Sequence, residues 1–413
     1  MTILQTLDRV KMATTDYLQL HDLTEAKNFF GPISKSERIW RSQQSFGPLL
    51  ASTRSKLGIG EHDRGEAYMF GGHDYPHADQ KSLERHFPLN VKHIHADILT
   101  IHEGQTVDFS TPASEFPWDV APGEIYLKMT IGKLLIGKNS GLQLRGNVFI
   151  LDCQNVEALP DQCASFHIQL RDDGIPASRI RLTAPVSENL RNGKNGVNGR
   201  PAQEPVLVQT PFYLDAKADT AHGVATAGKN GSNGQPGENG DNGGMLYLAD
   251  IRLRKLTNLT KGAITIDAKA GDGFPGSHGG NGGNGGQGGD GANGIQTPSG
   301  LVGRTKGGQG GNGGSGGNGG NGGNGGLACD VYVSLPPAGR HMIQCLTSQS
   351  VGGRAGDGGT GGKGGSGGMH GGIPDQTPYS YARSGANGPD GLKGRNGKSR
   401  PAPQIVLFEN THP

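Results

Sequence analysis

Aromatic residues make up 6% of this chain and hydrophobic residues 32%, so one conventional core cannot account for all 413 residues. Charge of one sign is also missing. The 39 Lys and Arg nearly cancel the 37 Asp and Glu, leaving a formal charge of +2, which gives no electrostatic reason to expect nucleic acid or an anionic membrane as partner. No apolar run is long enough to cross a bilayer. The first thirty residues interleave charged and apolar side chains and lack the apolar core of a secretory signal. The expectation is a protein that is cytoplasmic at synthesis and acts outside the cell after lysis, particle assembly or non-classical export. Cysteine is scarce too: Cys153, Cys163, Cys329 and Cys345 form no CxxC pair and no dense framework, which favours free, buried thiols over two disulfides.

Glycine is what the chain has instead, with 74 residues. From Gly273 to Gly294 a glycine falls at every third position, and a second register at 280, 283, 286 and 289 makes the middle Gly-Gly-Xaa. The same arithmetic returns at 307–326 and 353–371, and as sparser Gly-Xaa-Yaa at 193–199, 228–243 and 385–397. A period of three matches the extended polyproline II type helix, so each glycine column lines one edge of a rod. A flexible linker needs no phase. Ordering glycine is entropically costly, roughly 1–2 kcal/mol per residue, and hydrogen bonds between neighbouring rods are the plausible compensation. Collagen fits poorly, because the longest tracts hold almost no proline and are broken by strand-like segments.

Before and between the tracts the pattern changes. Residues 1–90 carry helical spacings, such as Ile3, Leu7 and Val10, then Tyr17, Leu18, Leu20 and Leu23 before Phe29 and Phe30. Residues 91–184 read as short apolar strands punctuated by Gly132, Gly137, Gly141 and Gly146, which fits an antiparallel sandwich or a small β-solenoid. Residues 185–413 alternate glycine tracts with strands. The fold expected is mainly β with polyglycine II helices: a small helical N-terminal region, a central β domain and a C-terminal polyglycine II bundle interleaved with strands.

The tracts GKNGSNGQPGENGDNGG (228–244), GGNGGNGGQGGDGANG (279–294), GGQGGNGGSGGNGGNGGNGG (307–326) and GGRAGDGGTGGKGGSGGMHGG (352–372) resemble proteins built on polyglycine II bundles. These are the glycine-rich antifreeze proteins of snow fleas and the receptor-binding adhesin tips of T-even-like phage tail fibres. The likeness is architectural, covers about a third of the chain, and does not extend to residues 1–184. In such adhesins the loops joining the rods at one end are said to recognise surface receptors, which implies a binding role here.

No Ser-His-Asp motif, phosphate loop or paired carboxylate stands out, and an enzyme is not expected. Nor is a cofactor. GGQGGD at 285–290 matches the start of a calcium-binding nonapeptide only once, and the local period is three rather than nine. His73, His77, His93 and His95 could supply a metal site, but lack matching carboxylates or cysteines and read as ordinary surface and turn histidines. The polar third positions of the triplets, such as Asn281, Asn284, Asn312 and Asn321, would bond a neighbouring rod or face solvent.

Recognition falls to two loops between tracts. Residues 374–385 offer Tyr379, Tyr381 and Arg383, and residues 296–307 offer Arg304 and Lys306. The expected function is a non-enzymatic receptor-binding or adhesin-type protein contacting a cell-surface glycan or protein, a role compatible with a homo-oligomer. A bacterial, insecticidal-type toxin acting on target membranes is the alternative. Ice binding is a minor one, since it favours rows of Ala and Thr that are scarce here.

Overall fold

The computed structural model describes residues 13–30, 87–121, 124–160, 163–171, 192–199, 206–209, 214–217, 225–297, 300–372 and 380–409. The protein is mainly β with a small helical N-terminal region. In chain order the elements used below are β1 (Ala13–Leu20), α1 (Leu23–Phe30), β2 (Leu89–Ile101), β3 (Thr106–Asp108), β4 (Ile125–Ile136), β5 (Ser140–Leu144), β6 (Val148–Ala158) and β7 (Phe166–Arg171). They continue with β8 (Val206–Gln209), β9 (Leu214–Lys217), β10 (Ala249–Leu253), β11 (Leu256–Thr257), β12 (Ile264–Lys269), β13 (Ile295–Thr297), β14 (Gly300–Val302), β15 (Val331–Leu335), β16 (Ile343–Thr347) and β17 (Ile405–Glu409).

Two sheets dominate. The larger runs β1-β2-β4-β6-β10-β15-β17, with β11 also beside β6, and the smaller runs β16-β12-β7-β5-β3. Every pairing within them is parallel except β1 with β2. The chain therefore coils, laying one strand in the large sheet and the next in the small one, and the antiparallel arrangement is not the one these strands adopt. Strand pairing also crosses the boundary placed at 184/185, since Ile251 of β10 stands opposite Leu151 of β6.

Alternation along the strands explains the layers. Ile94, Leu127, Met129, Leu151, Ile251 and Val333 point into the core between the sheets, where they meet Leu142, Ile168 and Ile266 of the small sheet. Their neighbours point outward, and on the outer face Tyr126, Ile150, Leu248, Tyr332 and Phe408 pack with Ala26 and Phe30 of α1. Burying each such large side chain is worth roughly 1.5–3 kcal/mol. The glycine punctuation marks places where one coil's backbone comes close to the next. A Cβ at Gly132 would lie 2.6 Å from the Asp97 carbonyl oxygen, one at Gly137 would lie 2.5 Å from the Glu103 nitrogen, and one at Gly141 would lie 2.6 Å from the His167 carbonyl oxygen.

The N-terminal region differs from the helical spacing read there. Ala13–Leu20 is a strand paired antiparallel with β2 from Ala13 opposite Ala96 to Leu20 opposite Leu89. The apolar residues 17, 18 and 20 suit either period, and a waiting sheet edge decides between them. Helix α1 follows, started by Asp22, whose Oδ1 accepts the Glu25 N–H at 2.8 Å. The helix ends on cations, because Arg252 donates to the Phe30 carbonyl at 2.8 Å and Lys128 donates to that of Phe29. Arg252 and Asp250, both buried, pair at 2.7 Å beneath it. Burial, with Arg252 nearby, lowers the Lys128 pKa to about 8.

The glycine-rich segments grow out of the sheets. Segments 192–199, 271–294 and 351–372 run outward after the small-sheet strands β7, β12 and β16, and segments 228–244, 305–327 and 382–400 return into the large-sheet strands β10, β15 and β17. Outward segments lie parallel to one another, as in Gly193 to the Asn281 carbonyl and Gly273 to that of Val351. Return segments do the same, as in Gly228 to Gln309 and Gly310 to Arg383. Antiparallel bonds knit the two layers at one level through all the segments. Ser232 donates to Lys194, Gly283 to Ser232, Gly314 to Gly283, Gly362 to Gly314 and Gly388 to Gly362, all within 2.8–2.9 Å. The apolar core tapers through the buried Ala249, Ala268 and Ala270 until backbones touch, Gly271 donating to Gly244 at 2.9 Å and Gly326 to Gly271 at 2.8 Å.

Amide accounting explains the third position of each triplet. In Gly282-Gly283-Asn284 the first N–H goes to Thr360, the second to Ser232, and the third to the Asn195 side chain at 2.9 Å. Asn284 in turn accepts the Lys363 N–H at 2.8 Å. The series repeats in the return layer, where Asn230, Asn239 and Asn242 accept from Asn312, Asn321 and Asn324, and these accept from Ala386, Arg395 and Lys398. An asparagine oxygen one position out takes the place of a backbone carbonyl. All four cysteines are free thiols: Cys153 and Cys329 are buried, whereas Cys163 and Cys345 are exposed, contrary to the expectation of burial.

Candidate recognition site

Because the outward segments share a direction, their far ends lie together, and so do the starts of the segments that return. Between the second outward segment and its return lies the β13/β14 hairpin, and the return segments begin beside the outward ends, Gly289 donating to Thr226, Thr305 to Ala292 and His370 to Ser380. Residues 305–307 and 380–383, distant in sequence, thereby meet across Met369–Gly371.

Thr305 and His370 hold the tip. The Thr305 hydroxyl accepts the Ala292 N–H at 2.8 Å, the Thr305 carbonyl accepts Gly371 at 3.0 Å, and His370 Nδ1 accepts Gly307 at 2.9 Å. The His370 N–H donates to Ser380 at 2.8 Å, and Met369 bridges Tyr381. Asp290 and Asn293 close the corner by accepting from Met369 at 2.7 Å and Gly372 at 3.0 Å. Of the recognition residues read from sequence, Arg304, Lys306, Tyr381 and Arg383 are all exposed, Tyr381 by 65%. Among the described residues none of the three cations takes part in an ion pair. Tyr379 lies outside the described residues.

Thr305 and His370 were not singled out by sequence reading. Their signal is a phase error: His370 stands where the triplet rule puts a glycine, and so does Thr305, three residues before Gly308 in the column of Gly308, Gly311 and Gly314.

The histidine candidates separate. His73 and His77 lie outside the described residues. His93 and His95 share the outer face of the large sheet, as alternation on one strand requires, with ring centroids 6.3 Å apart. His93 Nε2 sits 3.0 Å from the Thr130 hydroxyl, against the Phe29 ring at 5.4 Å. Burial, then the Lys128 and His95 charges, lowers its pKa. No group of three or more His, Cys, Asp or Glu suited to a metal ion occurs among the described residues. No helix among them is long and apolar enough to cross a membrane. No protein-family model, curated protein or solved structure matches the chain.

Proposed function

We propose that the six glycine-rich segments are polyglycine II helices, resembling those of the phage adhesins, and that the protein is a non-enzymatic receptor-binding protein whose bundle carries its tip loops to a cell-surface glycan or protein. The observation that carries this reading is the meeting of outward ends and return starts at one end of the bundle, where Thr305, His370 and Tyr381 come together away from the apolar core. Exposed Tyr381, with Arg304, Lys306 and Arg383, supplies the rigid aromatic and guanidinium contacts that recognition surfaces favour. Tyr381 and Arg383 sit on bonded backbone, Tyr381 bridging Met369 and the Arg383 carbonyl accepting Gly310, so little entropy is lost on binding. Catalysis has no part in this reading.

The test is binding of the fluorescently labelled full chain to a panel of intact cells, before and after protease treatment or periodate oxidation. The reading expects saturable binding to some cell type, removed by one of the two treatments and weakened by Tyr381→Ala with Arg304→Gln. Binding unaffected by that pair, or release of an entrapped dye from the cells, would count against it, and dye release would favour the toxin alternative.

A further inference from the structure

The overall charge of +2 conceals a segregation. In residues 380–400, the last glycine-rich segment, Arg383, Lys393, Arg395, Lys398 and Arg400 face one carboxylate, Asp390. The opposite edge, residues 192–199 with 225–244, is balanced, with Lys194 and Lys229 against Glu238 and Asp241. Positive charge is thus collected along one side of the bundle.

Its arrangement follows from the triplet. In 382–400 only the glycine column is turned inward, and the other two columns are exposed. The outer column reads Arg383, Ala386, Pro389, Leu392, Arg395, Lys398, successive members being roughly 9–10 Å apart, the advance of three extended residues. Cations stand at both ends and an apolar strip lies between them, with Leu392 73% exposed. The track is stiff, because the N–H groups of Leu392, Arg395 and Lys398 donate to the side chains of Asn318, Asn321 and Asn324 at 2.8–2.9 Å. Lys393, in the next column, is already paired with Asp357 at 2.8 Å. Arg383, Arg395 and Lys398 have no ion pair among the described residues.

We infer that this ridge binds a linear anionic polysaccharide laid along it, with acidic groups on the terminal cations and sugar C–H faces on Pro389 and Leu392. Charge complementarity selects a polyanion. The single-file ridge, one segment wide, suits a narrow chain better than the plane of a membrane. A nucleic acid strand would call for repeated aromatic platforms, and the outer column contains none. The inference concerns the flank of the bundle, shares only Arg383 with the tip residues, and does not depend on the receptor-binding reading.

The experiment uses the full chain and labelled polygalacturonate, read by fluorescence anisotropy over a range of salt. Binding that weakens as salt rises is expected, with no binding to neutral dextran. Arg395→Gln with Lys398→Gln should raise Kd about tenfold, and Lys194→Gln with Lys229→Gln on the far edge should leave it unchanged. Leu392→Ser should weaken binding without altering the salt dependence. Equal losses from the two double variants, equal binding of dextran, no effect of Leu392→Ser, or tighter binding to a short DNA duplex or to anionic phosphatidylglycerol vesicles would overturn the inference. Cell binding by the tip variants is a separate readout, so the two readings fail separately.

Discussion

The side-chain oxygen of Asn321 accepts the backbone N–H of Arg395 at 2.8 Å. Asn321 is tied on its other side as well, its own N–H donating to Asn239 Oδ1 at 2.8 Å and its carbonyl accepting Gly240 at 2.7 Å. One residue therefore joins three segments. Replacing it with alanine strips the acceptor from Arg395, and because the site is exposed water substitutes in part. We expect a loss of about 1 kcal/mol, measured by denaturant unfolding of the full chain.

Ser315 occupies the equivalent place two levels away, but the residue it faces is Pro389, which has no N–H to satisfy. The chain uses asparagine where an amide waits and not where proline stands, at least in this pair. Ser315→Ala should change stability by less than about 0.5 kcal/mol. A loss equal to that of Asn321→Ala would mean that the ladder does not act through these amides.

Gly314 cannot be replaced. A Cβ there would lie 2.1 Å from the Ser232 carbonyl oxygen, a backbone atom that cannot swing aside. Gly314→Ala should cost about 4 kcal/mol or more, or prevent recovery of folded protein, and thermal unfolding compared with Ser315→Ala in the same segment checks it.

Much of this was legible. Glycine columns report enclosure: Gly283 and Gly286, in the second register, face the Lys194 and Val197 carbonyls, whereas the edge segment 382–400 needs a single column. The period thus encodes how many sides of a segment are covered. Parallel strand pairing was not legible, because strands such as β6 show the same alternation in either direction, and one of its partners, β10, lies 100 residues away, Ile251 opposite Leu151. The tip was legible as two stretches between tracts but not as one place, since the approach of Thr305 to Gly371 depends on the parallel register of the outward segments. Burial of Arg252 gave no sequence signal, because charge in an RLRK run reads as surface until α1 covers it.

Lys128 gives a pH dependence. Burial holds its folded pKa near 8, below the ordinary 10.5. Between these values the unfolded chain keeps a proton that the folded chain has lost, so this group makes stability rise with pH across the window and adds nothing above it. Chemical unfolding from pH 7 to 10.5 should show the stability of the native chain, relative to Lys128→Met, increasing with pH. A constant difference would place the amine in water.

At the tip, Tyr381→Ala with Arg304→Gln should reduce cell binding about tenfold with an unchanged unfolding midpoint, since both side chains are exposed. Loss of folding together with binding would make them packing residues.

Hydrogen exchange of the glycine amides in the full-length protein decides whether the glycine-rich segments form an ordered bundle at all. Gly283, Gly314 and Gly362, each donating to a neighbouring backbone at 2.8 Å, should be protected to the degree of the core strand residue Ile251. Random-coil exchange at these three glycines, with Ile251 still protected, would mean that the segments are flexible loops hung on a β coil, and the rigid tip would go with them.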